Sequence, residues 1–329
     1  MEKEFLNLIQ KSFPVEERPF KKLAEELNVT EERLIDLYKD LKSRGIIRQT
    51  SAIFDTKSLG YDSSLVAFKV KDIDRAAAIV NEHPGVSHNY ERNNEFNLWF
   101  TIAVAPDSSL GLEKSVSILA EIAGADSYLI LPTKKMFKIK VQLDLTGKEE
   151  KKERVTRKKR QNMELKPFHI ELIKELQQDI EPIKEPFGKI LDRLGIDMSE
   201  LRHNVSKMEQ AGIMRRFATI LHHRKAGFKA NAMVVWKIPQ ERAEEIGEAV
   251  ASYRAVSHCY LRPVYPEWPY PLFSMIHGKS REEVEKVVEE ISEDIGVKEY
   301  AYLYSTREFK KVRLRYFSPE FYEWEKRHG

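Results

Sequence analysis

Apolar residues recur at helical spacing through the first fifty positions. Glu2–Lys11 reads as a short amphipathic helix, and Phe20, Leu23, Ala24 and Leu27 line one face of a second. Thr30 stands where a hydroxyl can cap a third helix, whose spacing is carried by Leu34, Leu37, Tyr38 and Leu41. Gly45 ends it, and Ile46–Phe54 alternates loosely, as the strand of a wing does. The pattern predicts a winged helix-turn-helix. Beyond it, strands are expected at Ser64–Val70, Val86–Tyr90, Asn97–Val104 and Asp126–Leu131. Helices are expected at Asp74–Glu82, with Ala77 and Ile79 turned inward, and at Leu112–Ile122. That order, β-α-β-β-α-β, is the ferredoxin-like one.

The same hydrophobic plan then returns. PFKKLAEELNVTEERLIDLYKDLKSRGIIRQTSAIFDTKSLGY, from Pro19, aligns with PFGKILDRLGIDMSELRHNVSKMEQAGIMRRFATILHHRKAGF, from Pro186. Phe20 meets Phe187, Gly45 meets Gly212 and Gly60 meets Gly227, each pair 167 residues apart. The second α/β unit follows as Ala232–Trp236, Arg242–Ser252, Ser257–Leu261, Leu272–His277, Glu282–Ile291 and Val297–Tyr304. The predicted class is α+β, a tandem duplication in which each copy is a winged helix-turn-helix followed by a ferredoxin-like β-α-β-β-α-β domain. The expected boundaries are 1–58 and 59–146 for the first copy, 147–164 for a linker, and 165–225 and 226–329 for the second. The copies should be related by a pseudo-twofold axis, with their sheets packed face to face.

Composition changes the picture in three places. The 329 residues are 42% hydrophobic, and no run approaches the roughly eighteen apolar residues of a membrane span. Met1-Glu2-Lys3-Glu4 lacks the basic start of a signal peptide, so the expected location is cytoplasmic, without a membrane partner. The single cysteine, Cys259, excludes an internal disulfide and a Cys-rich metal site, and reads as filler. The net charge of +3 hides Gly147–Asn162, where eight Lys or Arg stand against three Glu. That run has no interleaved aromatics and reads as a solvated linker. A helix-turn-helix suggests DNA, but the candidate recognition helix carries Glu31, Glu32, Asp36 and Asp40. Its counterpart mixes Glu200, Arg202, His203 and Lys207, and phosphate contacts need a concentrated positive face. DNA binding is therefore not expected, and these helices are expected to serve packing and assembly.

A winged helix joined to a ferredoxin-like domain resembles the Lrp/AsnC regulators, which are amino-acid-responsive DNA-binding proteins. The residues draw a narrower likeness. ATILHHRKAGFKANAMVVW (Ala218–Trp236) and VSHCYLRPVYPEWPYPLFSMIHG (Val256–Gly278) resemble the B-type subunit of the siroheme decarboxylases, related also to proteins of heme d1 synthesis. VSHNYERNNEFNLWFTIAV (Val86–Val104) resembles the A-type subunit. The likeness covers both copies and places in one chain two subunits that the family pairs. It implies a carboxy-lyase converting siroheme to 12,18-didecarboxysiroheme by non-oxidative loss of two acetate carboxyl groups, in heme or heme d1 formation. It implies no added cofactor, since the iron belongs to the substrate. The implied partners are siroheme, its product and tetrapyrrole-pathway enzymes, with the A-B pair inside a monomer or a homodimer.

A flat ring edged by carboxylates calls for aromatic residues mixed with Arg, Lys and His. The second copy offers His222, His223, Arg224, Lys225, His258, Tyr260, Arg262, Tyr265, Trp268, Tyr270 and His277. The first offers His88, Tyr90, Arg92, Asn94 and Trp99. Strand parity puts His258, Tyr260 and Arg262 on one face and Cys259 and Leu261 on the other, and His88, Tyr90 and Arg92 repeat the arrangement. Loss of carbon dioxide leaves an electron pair that must meet a proton, so His223, His258, Tyr260 and His222 are the candidate acids. Arg262 is expected to hold a retained carboxylate, because a guanidinium does not release its proton near neutrality. His222 or His223 could instead ligate the substrate iron. The first copy has Asp55 and Thr56 at those positions, so its pocket is expected to be the weaker.

Plain structural roles stand beside these. The triplets could be satisfied sheet faces, His277 a hydrogen-bonded core residue, and Trp268 and Tyr270 packing on a loop stiffened by Pro263, Pro266, Pro269 and Pro271. Two other functions stay open, a DNA-binding regulator and a heme or siroheme carrier without chemistry.

Overall fold

The computed structural model of the protein describes residues 1–139, 163–221 and 230–329. The first copy comprises α1 (Glu2–Lys11), α2 (Pro19–Glu26), α3 (Glu31–Ser43), β1 (Ile47–Phe54), β2 (Asp62–Lys69), α4 (Ile73–Glu82), β3 (Val86–Arg92), β4 (Leu98–Val104), α5 (Gly111–Ala123), β5 (Ser127–Pro132) and β6 (Lys135–Ile139). The second comprises α6 (Pro167–Leu176), α7 (Gly188–Leu194), α8 (Met198–Gln210), β7 (Met214–Leu221), β8 (Ala230–Trp236), α9 (Ala243–Ser252), β9 (Val256–Leu261), β10 (Leu272–Gly278), α10 (Arg281–Ile295), β11 (Tyr300–Leu303), β12 (Ser305–Lys311) and α11 (Pro319–His328). The expected elements are present with shifted ends, whereas β6, β12 and α11 were not foreseen. The linker Gly147–Asn162 lies outside the described residues. One inward face also needs correcting. In α4 the buried residues are Ala76, Ala77 and Val80, and Ile79 sits at the flank, because the i, i+4 pair Ala76 and Val80 sets the buried stripe.

Contacts group the chain by domain type. One unit joins Met1–Tyr61 with Lys159–Arg224 and Arg315–Pro319, and the other joins Asp62–Lys158, Lys225–Leu314 and Glu320–Gly329.

In the winged-helix unit, Thr30 caps α3 by accepting the Arg33 N–H at 3.3 Å, and Gly45 follows at φ +67°, a left-handed conformation that favours glycine. The wing strands β1 and β7 pair antiparallel, with Ser51 opposite Ala218. Their buried seam is satisfied internally: Tyr38 donates to Thr50 Oγ1 at 2.7 Å, and Thr50 bonds the Thr219 hydroxyl at 2.6 Å. Three of the four acidic side chains of α3 are ion-paired, Glu31 with Arg18, Glu32 with Lys184 and Asp40 with Arg44.

The α/β unit holds two five-stranded sheets, ordered β12-β3-β4-β2-β5 and β11-β8-β10-β9-β6. Each takes an edge strand from the other copy. The chain leaves β5 through Thr133 and Lys134 to lay β6 beside β9, and leaves β11 through Tyr304 to lay β12 beside β3. The copy-by-copy boundaries 59–146 and 226–329 do not express this exchange. The sheets pack face to face through Leu65, Ala67, Trp99, Leu129 and Leu131 of one and Val235, Phe273 and Leu303 of the other, with Phe96 and Trp268 added from loops. Helices cover the outer faces: Val250, Val284, Val288 and Ile291 pack on Val234, Trp236 and Ile276. On the first copy's outer edge, α11 lays Trp324 against the buried ring of His83, with centroids 4.3 Å apart.

Candidate active site

The two His-Tyr-Arg strands, β3 and β9, each lie one place in from a borrowed edge. Register puts Tyr90 opposite Trp99 and Tyr260 opposite Phe273, so both triplets face the layer between the sheets. The histidine and tyrosine are half-buried in each copy, with ring centroids 6.2 Å apart for His88 and Tyr90 and 6.0 Å for His258 and Tyr260. The intervening residues point to the helices. Asn89 donates to Asn81 Oδ1 at 3.0 Å, and the fully buried Cys259 thiol, whose pKa burial pushes up, lies 3.7 Å from the Gly247 carbonyl. Cys259 is filler in the helix-side core.

The arginines do something the sequence does not reveal. Arg92 Nη1 donates to the Leu303 carbonyl at 2.7 Å, and Arg262 Nη1 donates to the Leu131 carbonyl. Each reaches the corresponding strand of the opposite sheet, so the pair forms two pseudo-symmetric ties. Each guanidinium also lies over the tyrosine of its own strand, at 5.7 Å for Arg92 and 5.0 Å for Arg262. Burial pulls both pKa values down to about 10, and the Nε of each is buried without a hydrogen-bond partner.

Both strands carry a bulge at the serine before the histidine, where the register slips between Val86 and His88 and between Met275 and Ile276. A bulge re-aims a side chain, and here it turns the serine toward its neighbour. Ser87 Oγ lies 2.9 Å from His88 Nδ1 and 2.9 Å from Thr101 Oγ1. Ser257 Oγ lies 2.7 Å from His258 Nδ1 and 2.7 Å from His277 Nε2. Sequence reasoning passed over both serines, although Val-Ser-His stands in each copy. Burial, then the neighbouring His277, lowers the His258 pKa to about 4. Burial lowers that of His277 as well.

The borrowed edges make the two faces unequal. Along β12, Glu308 stands opposite Tyr90 and Lys311 opposite His88, whereas along β6 the residue opposite Tyr260 is Met136. Tyr90 is pushed up to about 12, first by burial and then by Glu308.

Other candidates sit elsewhere. Trp99 and Trp268 are buried in the inter-sheet core, their centroids 5.3 Å apart, so loop packing is the role the geometry gives Trp268. Tyr265 donates to the Ile130 carbonyl at 2.6 Å, another cross-sheet bond, and Asn94 accepts the Phe96 N–H at 3.0 Å within its turn. Tyr270 is half-buried beside Trp268. His222, His223, Arg224 and Lys225 lie outside the described residues. Among the described residues, no group of three or more His, Cys, Asp or Glu is placed to hold a metal ion.

Comparison with known proteins agrees with this architecture. An AsnC-like ligand binding domain matches residues 58–138 and 225–310, and a siroheme decarboxylase NirDL-like HTH domain matches residues 2–48. The chain is 41% identical to a siroheme decarboxylase of Hydrogenobacter thermophilus, over 97% of this chain and 96% of that one. A siroheme decarboxylase beta subunit of Methanosarcina barkeri is 42% identical over 44% of this chain and 96% of its own length. A crystal structure of the siroheme decarboxylase NirDL in co-complex with an iron-uroporphyrin III analogue superposes with a TM-score of 0.79 at 36% identity, covering 99% of this chain and 98% of that one.

Proposed function

The chain belongs to the siroheme decarboxylases, and from that premise we propose how its own residues divide the work. It converts siroheme to didecarboxysiroheme by loss of two acetate carboxyl groups, and the iron is part of the substrate. In our reading the inter-sheet face of β9 carries the chemistry. His258 delivers the proton: its Nδ1 is engaged by Ser257, which leaves Nε2 to meet the substrate. Tyr260, beside it, positions the ring. Arg262 serves as cross-sheet tie and carboxylate partner together, because Nη1 is used and its Nε is not. His88, Tyr90 and Arg92 form the second, more polar face, which binds rather than reacts. His222 and His223 are the candidates for an axial ligand to the substrate iron.

The observation that carries this reading is the His-Tyr-Arg face repeated on both inner strands. Protonation of a ring carbon gives the electrons of the breaking C–C bond a sink, and the acid must sit at the ring edge. A reacting carboxylate leaves more readily where it loses solvation than where an arginine holds it. The side of Tyr260 toward β6, with Met136 in place of a charge, suits that step better than the side of Tyr90 toward Glu308. Anaerobic incubation with siroheme, read by mass spectrometry, should show loss of two carboxyl groups. An unchanged mass under conditions where the ligand's visible spectrum proves binding would leave a carrier instead.

No helix among the described residues is long and apolar enough to cross a membrane. We propose a cytoplasmic protein that holds its A-B pair within one chain. Its winged helices serve assembly rather than DNA, since α3 carries four carboxylates, three of them ion-paired, and offers no concentrated positive face.

A further inference from the structure

We infer that Ser257 and His277 are positioning residues that hand a proton to His258 Nδ1 as His258 releases its own from Nε2. This rests on the reading of His258 as the acid. Near neutral pH, burial keeps the His258 ring uncharged, and a neutral imidazole is a poor donor unless its lost proton is replaced in the same step. Ser257 is placed to do that. It is 2% exposed, and its Oγ bridges two imidazole nitrogens at 2.7 Å each.

A hydroxyl has one proton to give and lone pairs to accept with, so it donates to one ring and accepts from the other. With His277 taking up a solvent proton at Nδ1 as it gives up its own from Nε2, the shift balances. His277 Nε2–H passes to Ser257 Oγ, Ser257 passes its own proton to His258 Nδ1, and His258 Nε2–H passes to the substrate. The proton lands on the ring carbon, the C–C bond to the carboxylate breaks into that sink to leave an exocyclic double bond, carbon dioxide leaves, and the ring carbon gives up its proton as the exocyclic carbon gains one and ends as a methyl. One proton is taken up per carboxyl lost, and His277 is left neutral. After the product departs, a solvent proton at His258 Nε2 drives the reverse shift and resets the tautomer.

The first copy supplies a natural contrast. Its bulge makes the same serine–histidine bond, but Ser87 continues to Thr101 Oγ1 at 2.9 Å, a hydroxyl with no excess proton to give. Among the described residues the second imidazole stands beside β9, where β10 brings His277.

The test is steady-state decarboxylation of siroheme with a proton inventory in mixed light and heavy water. The parent should show a curved inventory, more than one proton in flight. Ser257→Ala should lower kcat about 10- to 100-fold, part of the roughly 10²–10⁴-fold that a general acid supplies, with KM little changed and the inventory made linear. His277→Gln should do the same. Ser257→Thr, which keeps the hydroxyl, should restore both rate and curvature, and Ser87→Ala should leave the curvature as in the parent. His258→Gln tells the two readings apart. If it turns over at the parent rate, His258 is not the acid and the relay falls with it. If it is inactive while Ser257→Ala keeps the parent rate and inventory, the acid stands and the relay alone is overturned.

Discussion

Replacing Arg262 separates the tie it makes between the sheets from the carboxylate contact proposed for it. Arg262→Met keeps much of the side-chain volume but loses the bond to the Leu131 carbonyl. A hydrogen bond from a charged donor is worth about 1.5–3 kcal/mol. Against it stands the cost of burying the guanidinium, visible as a pKa drawn from 12.5 down to about 10. At ~1.4 kcal/mol per tenfold change in proton affinity, that cost is roughly 3 kcal/mol. The two nearly offset, so the Met variant should keep the stability of the α/β unit to within about 1 kcal/mol, as apolar replacements of buried ionic groups commonly do. Arg262→Ala also opens a cavity against Tyr260 and Phe273, whose rings lie 5.0 and 5.3 Å from the guanidinium carbon. It should cost about 2–4 kcal/mol. All four tryptophans, Trp99, Trp236, Trp268 and Trp324, belong to this unit, so their fluorescence in urea reports its unfolding. Siroheme titration then reads the proposed contact. Loss of one charged contact predicts binding weakened by about ten- to a hundredfold in the Met variant. A Met variant as unstable as the Ala variant would refute the balance drawn here. A stable one with parent affinity would remove Arg262 from the substrate site.

Three further outcomes are expected. The His258 pKa falls from 6.5 in the unfolded chain to about 4 in the fold, so folding disfavours its protonated form. Stability is therefore fully present above pH 6.5 and lost as pH falls toward 4, at no more than ~1.4 kcal/mol per pH unit. Urea midpoints from pH 7 to 4 should show a slope shallower by up to one proton in His258→Gln. A residual slope of the same sign belongs to His83, which burial holds at about 3, and to His277 and His169, which burial also lowers. Trp268→Ala, at a residue 2% exposed in the inter-sheet core, should lower stability by about 3–5 kcal/mol, measured by the same urea midpoint and retained siroheme turnover at low temperature. Duplex DNA should be bound weakly and without sequence preference, and a sequence-specific, salt-sensitive gel shift would reinstate a regulatory role for the winged helices.

Periodicity made much of this fold legible. The repeat gave both copies their element order, Thr30 and Gly45 marked the ends of α3, and parity put each His-Tyr-Arg triplet on one face. These are local signals, fixed by neighbours a few residues apart. The exchange of edge strands was not legible, because KMFKI at Lys135–Ile139 can be read as a strand but nothing local says whose sheet it joins. The bulges were hidden for a related reason: a one-residue slip depends on the partner strand. So was the role of the arginines. In sequence Arg262 reads as a carboxylate binder, yet once the sheets close its guanidinium meets the backbone carbonyl of Leu131. The place of Trp268 was not legible either, since stacking on a ring and packing of a stiff loop look the same in sequence; its indole finds Trp99 and Phe273 and is buried.

The exchange also explains why two subunits can be fused without merging into one symmetric enzyme. Each His-Tyr-Arg strand is bordered by a segment of the other copy, so neither face is complete without both. The cross-sheet ties run in both directions, from Arg92 to Leu303 and from Arg262 to Leu131, and hold the copies in the register that the faces need. Divergence can then act on the borrowed edges alone. In the proposed reading Lys311 on β12 gives the first face a cation suited to a polyanionic ring, with Glu308 setting where its carboxylates cannot lie, while Met136 on β6 leaves the second face poorer in charge, where a carboxylate would be more easily lost. The retained symmetry lies in backbone pairing and arginine ties. The asymmetry lies in the few side chains opposite the tyrosines and in the second histidine behind Ser257. A chain that kept the symmetric parts and exchanged Met136 for a glutamate should therefore still bind siroheme and lose rate, because the change touches the charge of the second face and not the ties that build it.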